Sequence, residues 1–234
     1  MKGTTLRNDS RGSVIQEIYR ILLAEYGCQG WWPVTPPGGT VPEYSGGPVN
    51  ERQKFEVCCG AVLTQNTSWK NASSAITNMN REGLLDPEDI ISVDLRFLAG
   101  IIRPSGYYNV KAGKLKRIAR FLTEKRDLTR KSILEVNGVG PETADSILLY
   151  AFGELYFVID SYTRRLFSRA GVIKGNERYD YIRKLFEDSL PADITVYREY
   201  HSLVVEHAKR YCLKKNPSCP GCPLGHFCPS LLES

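Results

Sequence analysis

The sequence predicts an all-α protein, and two observations carry that reading. From Asn50 onward apolar residues recur almost everywhere at helical spacing. Strand-like alternation is nearly absent, LYFVI at 155–159 being the one candidate. The 234-residue chain is 42% hydrophobic, which suits a globular protein with a real core and excludes a disordered polyelectrolyte. No stretch approaches the ~20 apolar residues of a spanning helix, so no membrane partner is expected. The opening MKGTTLRNDSRGS has no apolar run, which predicts no secretory signal and a cytoplasmic protein.

Taken in order, Val14, Ile15, Ile18, Leu22 and Leu23 mark a helix over 14–26 with Ser13 as its N-cap. Residues 27–49 hold five prolines and many glycines, which predicts a long irregular loop. Such loops in compact domains are often functional, and this one carries Trp31 and Trp32. Helices are then expected near 51–64, 68–81, 87–99, 107–124, 130–136, 141–153, 161–170, 178–188 and 192–211. No repeat or low-complexity tract interrupts them.

The net charge of +5 understates a local asymmetry. Between Arg103 and Lys131 ten basic residues face two acids, a balance of +8. His207–Cys228 adds Lys209, Arg210, Lys214 and Lys215 with no acid. Localised basic stripes are the footprint of phosphate binding. A solvated helix face is the plainer alternative.

Of seven cysteines, Cys212, Cys219, Cys222 and Cys228 follow a C-x6-C-x2-C-x5-C spacing. Thiolates this close in sequence can close around one metal centre. A disulfide framework does not suit a chain without a secretory signal. Zinc remains open, although its sites usually show two CxxC-like pairs. Four cysteines with no ligand histidine in the run suit a [4Fe-4S] cluster. Cys58 and Cys59 sit in an apolar helix and read as core.

Residues 130–150 read RKSILEVNGVGPETADSILLY, two helical stretches around Asn137, Gly138, Val139 and Gly140. Pro141 suits the first position of the second helix, where its missing N–H costs nothing. The glycines let a phosphate approach the backbone, and the helix start offers unpaired N–H groups. Twenty residues beyond Gly140, Asp160 follows an apolar run and precedes a helix. It reads as an N-cap, as a carboxylate facing a cleft, or as both.

Hairpin, following aspartate and cysteine tail together resemble the helix-hairpin-helix DNA glycosylases, over about residues 50–228. The tail is similar to that of endonuclease III and the adenine-mismatch glycosylases. Within the superfamily the chain most resembles the 3-methyladenine DNA glycosylase III group. WWP at 31–33, KFEVCCGAVLTQNTSW at 54–69, IRPSGYYNVKAGKL at 102–115 and GVGPETADSILLYA at 138–151 carry that match. The cysteine tail departs from that group.

The resemblance implies a two-lobed fold. A helical barrel domain would span 27–153, with the helix-hairpin-helix at 130–150. Residues 1–26 and 154–234 would form a second lobe with the iron–sulfur loop at 212–228. Damaged double-stranded DNA would lie in the groove between lobes, with its target nucleotide flipped out. Such a fold leaves no obvious spare apolar face, so a nucleoid-associated monomer is expected.

By the same resemblance Gln65 fills the vacated space in the duplex; an exposed helix-start glutamine is the plainer alternative. The backbone at Asn137–Gly140 holds a phosphate, and Lys214 and Lys215 of the cysteine loop hold others. Asp160 stabilises charge on the sugar or activates the attacking water. Bifunctional members carry a lysine two residues after the second hairpin glycine. Here that position is Glu142, which implies a monofunctional enzyme with weak or absent AP-lyase activity.

Trp31, Trp32, Pro33 and Trp69 match the base pocket of the 3-methyladenine group, with Lys209 matched to a basic pocket residue. A cationic alkylated base between indoles gains cation–π attraction of ~1–2 kcal/mol. The plainer alternative is that the tryptophans cap the core. Two alternatives remain. One is a glycosylase for uracil or thymine mismatches or oxidised pyrimidines. The other is a non-catalytic iron–sulfur DNA-binding protein.

Overall fold

The computed structural model describes residues 8–124 and 127–229. Among them every regular element is helical, and the one β feature is an isolated antiparallel bridge between Val34 and Glu43. The fold class expected from the periodicity is therefore observed. The chain divides into two compact units, Met1–Gln29 with Leu155–Ser234, and Gly30–Glu154.

The first unit opens with α1 (Asn8–Tyr26), which begins five residues before the expected cap. Ser13 lies inside the helix. The added turn is held by tertiary contacts that local capping rules do not see. Arg11 donates to the Tyr181 hydroxyl at 3.1 Å, and Gln16 donates to the Ser189 carbonyl at 2.7 Å. Ile15, Ile18 and Leu22 are fully buried.

The second unit is built around α2 (Glu51–Leu63), capped by Asn50, whose side chain accepts from the Gln53 N–H at 2.9 Å. Phe55 through Leu63 are all buried. The helix reaches back to the preceding loop with polar groups. Glu56 Oε1 accepts from the Thr35 N–H at 2.8 Å and its hydroxyl at 2.7 Å, and Gln53 donates to Thr35 O at 3.0 Å. These contacts order a segment whose composition alone reads as irregular.

Next come α3 (Trp69–Arg81), capped by Ser68, then α4 (Pro87–Ser92) and α5 (Leu95–Ile101). The single helix expected over 87–99 is two. Val93 is extended, and Asp94 turns its carboxylate onto the Arg96 and Phe97 N–H groups, both at 2.9 Å, starting a new helix. A good capping residue outcompetes continuation.

Helix α6 (Tyr108–Thr123) packs on α2, α4 and α5. The hairpin follows as α7 (Arg130–Leu134), opened by a Thr129–Ser132 capping box, and α8 (Pro141–Ile147). A π-helical turn over Leu148–Phe152 extends α8.

The chain then returns to the first unit. Residues 155–159 form no strand. Phe157 N–H is taken by Glu187 Oε1 at 3.0 Å and Ile159 N–H by the Tyr179 hydroxyl at 3.3 Å. Side chains thus occupy the donors a sheet partner needs, while Phe157, Val158 and Ile159 are buried. Helices α9 (Ser161–Arg169), α10 (Tyr179–Ser189) and α11 (Ile194–Arg210) complete the unit. Their core is aromatic: Phe186 stacks on Phe157 at 4.7 Å and meets Phe167 edge-on at 4.6 Å. The cysteine loop closes the described residues, which contain no helix long and apolar enough to cross a membrane.

Candidate active site

Asp160 is the N-cap of α9, as its position before SYTRRLFSR suggests. Its Oδ1 accepts from the Thr163 N–H at 2.7 Å. The residue is buried, and His201 of α11 brings Nε2 to 3.6 Å from Oδ2. Burial alone pushes a carboxyl up. The contact with His201 and the bond from the Thr163 N–H outweigh it and hold Asp160 below the ordinary carboxylate range. A buried carboxylate is thus kept ionised, the state needed beside a developing positive charge. Nothing in the sequence singles out His201, one of two histidines on α11.

The hairpin departs from its expectation in detail. Gly138 has φ +94°, and a Cβ there would meet the Lys114 stem at 2.8–3.0 Å. That glycine is required first by packing against α6. Gly140 faces open space, with nothing within 4 Å of a Cβ. The Val139 N–H is spent on Val136 O at 3.0 Å and its side chain is buried, so Val139 offers no amide to a ligand. Among the described residues the Gly138 and Gly140 N–H groups have no protein acceptor. Asn137 contributes a carbonyl that accepts from Arg117 Nε at 2.8 Å, which anchors the turn.

Gln65 is not at a helix start. It follows the end of α2 and is half-buried against the hairpin. Its Nε2 donates to the Thr143 hydroxyl at 2.9 Å and reaches Gly138 O at 3.4 Å, while Lys114 Nζ donates to its Oε1. Gln65 and the glycine turn are therefore one constellation, 73 residues apart in sequence.

The basic stripe is also redistributed. Lys111 is 2% exposed and donates to Leu63 O at 2.8 Å and Ser105 O at 2.7 Å. Burial, with Lys114 nearby, lowers its pKa to about 8. Lys116 Nζ donates to Ile91 O at 2.9 Å and to Val93 O. Arg130 forms a salt bridge to the fully buried Asp145 at 2.6 Å. Lys125 and Arg126 lie outside the described residues. Many of these cations serve carbonyls and a buried acid, so the count of +8 overstates what faces phosphate. Lys114 and Arg117 remain beside the hairpin.

Trp31, Trp32 and Trp69 do come together, joined by Tyr150 of the π turn. Trp32 meets Trp69 edge-on at 5.5 Å, Trp31 at 5.9 Å and Tyr150 at 5.2 Å. Trp32 is 5% exposed and packs across Gly60, where a Cβ would sit 3.0 Å from its Nε1. That indole N–H has no protein partner. Pro33 is buried, whereas Trp31 and Trp69 are half-buried. The cluster is thus anchored by one core indole with two more accessible ones beside it. Glu142 is exposed in the first turn of α8.

In the first unit Lys209 and Lys214 line a groove of about 350 Å³ with Ser161, Tyr162 and Arg165, next in sequence to Asp160. Lys215 is exposed on the same loop. Cys212, Cys219, Cys222 and Cys228 line one cavity and are all free thiols. Among the described residues no three His, Cys, Asp or Glu side chains close on a single point as for one metal ion. Arg169 donates to Cys212 Sγ at 3.1 Å and to Leu213 O at 2.7 Å. His207 Nε2 lies 3.6 Å from Cys222 Sγ and its Nδ1 3.0 Å from the Tyr26 hydroxyl. Burial lowers His207 to about 4, so the ring is neutral at physiological pH.

Comparison with known proteins places this geometry. The family model described as HhH-GPD superfamily base excision DNA repair protein matches residues 59–192. A putative DNA repair glycosylase of Methanocaldococcus jannaschii is 44% identical over 233 residues, covering 94% of this chain and 98% of that protein. Endonuclease III in a non-covalent DNA complex superposes with a TM-score of 0.75 at 21% identity, covering 97% of this chain and 98% of that one. The Helicobacter pylori 3-methyladenine DNA glycosylase bound to 1,N6-ethenoadenine gives 0.67 at 24% identity, covering 85% and 97%. The last two share its fold.

Proposed function

The chain belongs to the HhH-GPD superfamily of base excision DNA repair proteins, as a DNA glycosylase, and we propose that it removes alkylated purines such as 3-methyladenine without cleaving the strand. The observation that carries the substrate reading is the cluster of Trp31, Trp32, Trp69 and Tyr150. Ring faces attract a cationic base by its charge, and few hydrogen bonds are then needed to select it. An alkylated base leaves readily, which asks only modest catalysis of the protein.

The remaining residues take roles that fit their surroundings. Asp160, ionised although buried, stabilises the oxocarbenium-like sugar or orients the attacking water. The unpaired Gly138 and Gly140 N–H groups receive a DNA phosphate, with Lys114 and Arg117 adjacent. The groove with Lys209 and Lys214 receives another. Gln65 must leave Thr143 and Gly138 to enter the duplex, so insertion there exchanges one set of hydrogen bonds for another. Glu142 has no amine with which to form a Schiff base, which supports hydrolysis to an abasic site.

The four cysteines fit a [4Fe-4S] cluster. They are free thiols around one cavity, with Arg169 donating to one sulfur. When bound, the cluster would cross-link the loop carrying Lys214 and Lys215.

A panel of duplexes tests this reading. Methylated DNA and 1,N6-ethenoadenine are compared with uracil and thymine mismatches and thymine glycol. Release of alkylated purines is expected; release confined to the other lesions would replace the substrate assignment. Borohydride trapping of a covalent protein–DNA adduct would overturn the monofunctional assignment. Absorbance near ~400 nm separates iron–sulfur from zinc.

A further inference from the structure

We propose that His201 is the positioning partner of Asp160, fixing the orientation of its carboxylate and keeping it charged. The inference rests on the catalytic reading of Asp160 given above. The two residues come from different helices of one unit, Asp160 capping α9 and His201 lying within α11. They are 9% and 4% exposed. Oδ1 is committed to the Thr163 N–H at 2.7 Å. That bond holds one oxygen. His201 Nε2 lies 3.6 Å from the other, Oδ2, within ion-pair distance though beyond hydrogen-bond reach, so a protonated ring would draw that oxygen toward α11.

Charge gives the second argument. Withdrawn from water, a carboxylate favours its neutral form unless an opposite charge or several N–H donors oppose this. From α9 the opposing group is the Thr163 N–H, and from α11 His201. At the start of α10 the Tyr179 hydroxyl faces the preceding residue, accepting from Ile159 N–H at 3.3 Å. Of the groups acting on Asp160, His201 is the one able to carry a positive charge. Each oxygen keeps lone pairs beyond these contacts, available to a sugar or a water. A histidine kept only for packing would share the burial but would leave the titration of Asp160 untouched.

The test measures single-turnover release of methylated purines from methylated duplex DNA by the full chain and by His201→Gln, from pH 4.5 to 9. With the opposing group gone, burial is left to raise the Asp160 carboxyl, so the variant's acid limb is expected to move to higher pH and its loss of rate to be greater at pH 5 than at pH 8. An unchanged limb overturns the proposal. Carbon-13 NMR of the Asp160 carboxyl, assigned with Asp160→Asn, reads the same shift without activity. If the wild type releases no methylated base, the substrate reading fails and this spectrum still decides about His201. If Asp160→Asn still releases base, the catalytic reading of Asp160 fails separately. Should His201→Gln not fold, the same carboxyl spectrum is read in His201→Asn, where a carboxyl that titrates as in the wild type overturns the proposal.

Discussion

Replacing Lys111 by methionine removes an ammonium from the interior while keeping most of its stem. Lys111 gives two hydrogen bonds to main-chain carbonyls, Leu63 O at 2.8 Å and Ser105 O at 2.7 Å. Bonds from a charged donor contribute ~1.5–3 kcal/mol each. Burying the ammonium works against them. A pKa lowered from 10.5 to about 8 corresponds to ~3 kcal/mol of penalty on the charged form. The net loss in Lys111→Met at pH 7 is therefore ~0–3 kcal/mol.

The pH dependence gives the sharper test. The folded-state pKa lies below the unfolded one, so between about 8 and 10.5 the unfolded chain binds more protons. Wild-type stability gains from this group as pH rises through that window, by ~2 kcal/mol at pH 9.5, and the variant lacks the gain. Urea unfolding at pH 7 and 9.5, with m unchanged, should show the gap widening. A gap that is constant or narrows refutes the claim that a penalised ammonium sits there. Because its charge does not meet phosphate, the variant should also change the salt slope of DNA binding by much less than one.

Gly138→Ala should destabilise by ~1–3 kcal/mol, since its Cβ meets Lys114 at a φ of +94°, whereas Gly140→Ala should fold normally and weaken DNA binding. Thermal melts and duplex titrations separate the two. Asp160→Asn should retain the helix cap, with stability at pH 7 within ~1 kcal/mol, yet release no base. Cys222→Ser should lose absorbance near ~400 nm in freshly purified protein, which the visible spectrum reports.

What could be read in advance was local. The apolar period marks the helices that begin at Glu51 and Trp69 to within a residue, and Asp160 caps α9 as its place before a helix implies. The break at Asp94 was missed because the apolar period runs through it while one carboxylate restarts the helix. The run at 155–159 has strand composition, but Glu187 and Tyr179 take two of its amides, and both are distant in sequence. Charge was the least legible quantity. A lysine that serves two carbonyls and one that serves solvent look alike in sequence, so Lys111 and Lys116 were counted with the stripe. The tryptophans were identifiable by type, whereas the burial of Trp32 over Gly60 depends on packing. His201 had no signal of its own.

Helix α9 joins two features usually considered separately. Asp160 caps its first turn, and Arg169 at its last residue binds Leu213 O and Cys212 Sγ of the thiol loop. Arg165, one turn earlier, adds a bond to Cys212 O at 2.7 Å. Nine residues of α-helix form a rod of about 13 Å, too short to bend. Movement at one end is therefore delivered to the other as rotation or translation. The thiol loop and the Asp160 carboxylate therefore sit at the two ends of one rod. Damage to that loop, by oxidation of a sulfur or loss of its fold, would reach Asp160 as misalignment, even with every residue around it intact.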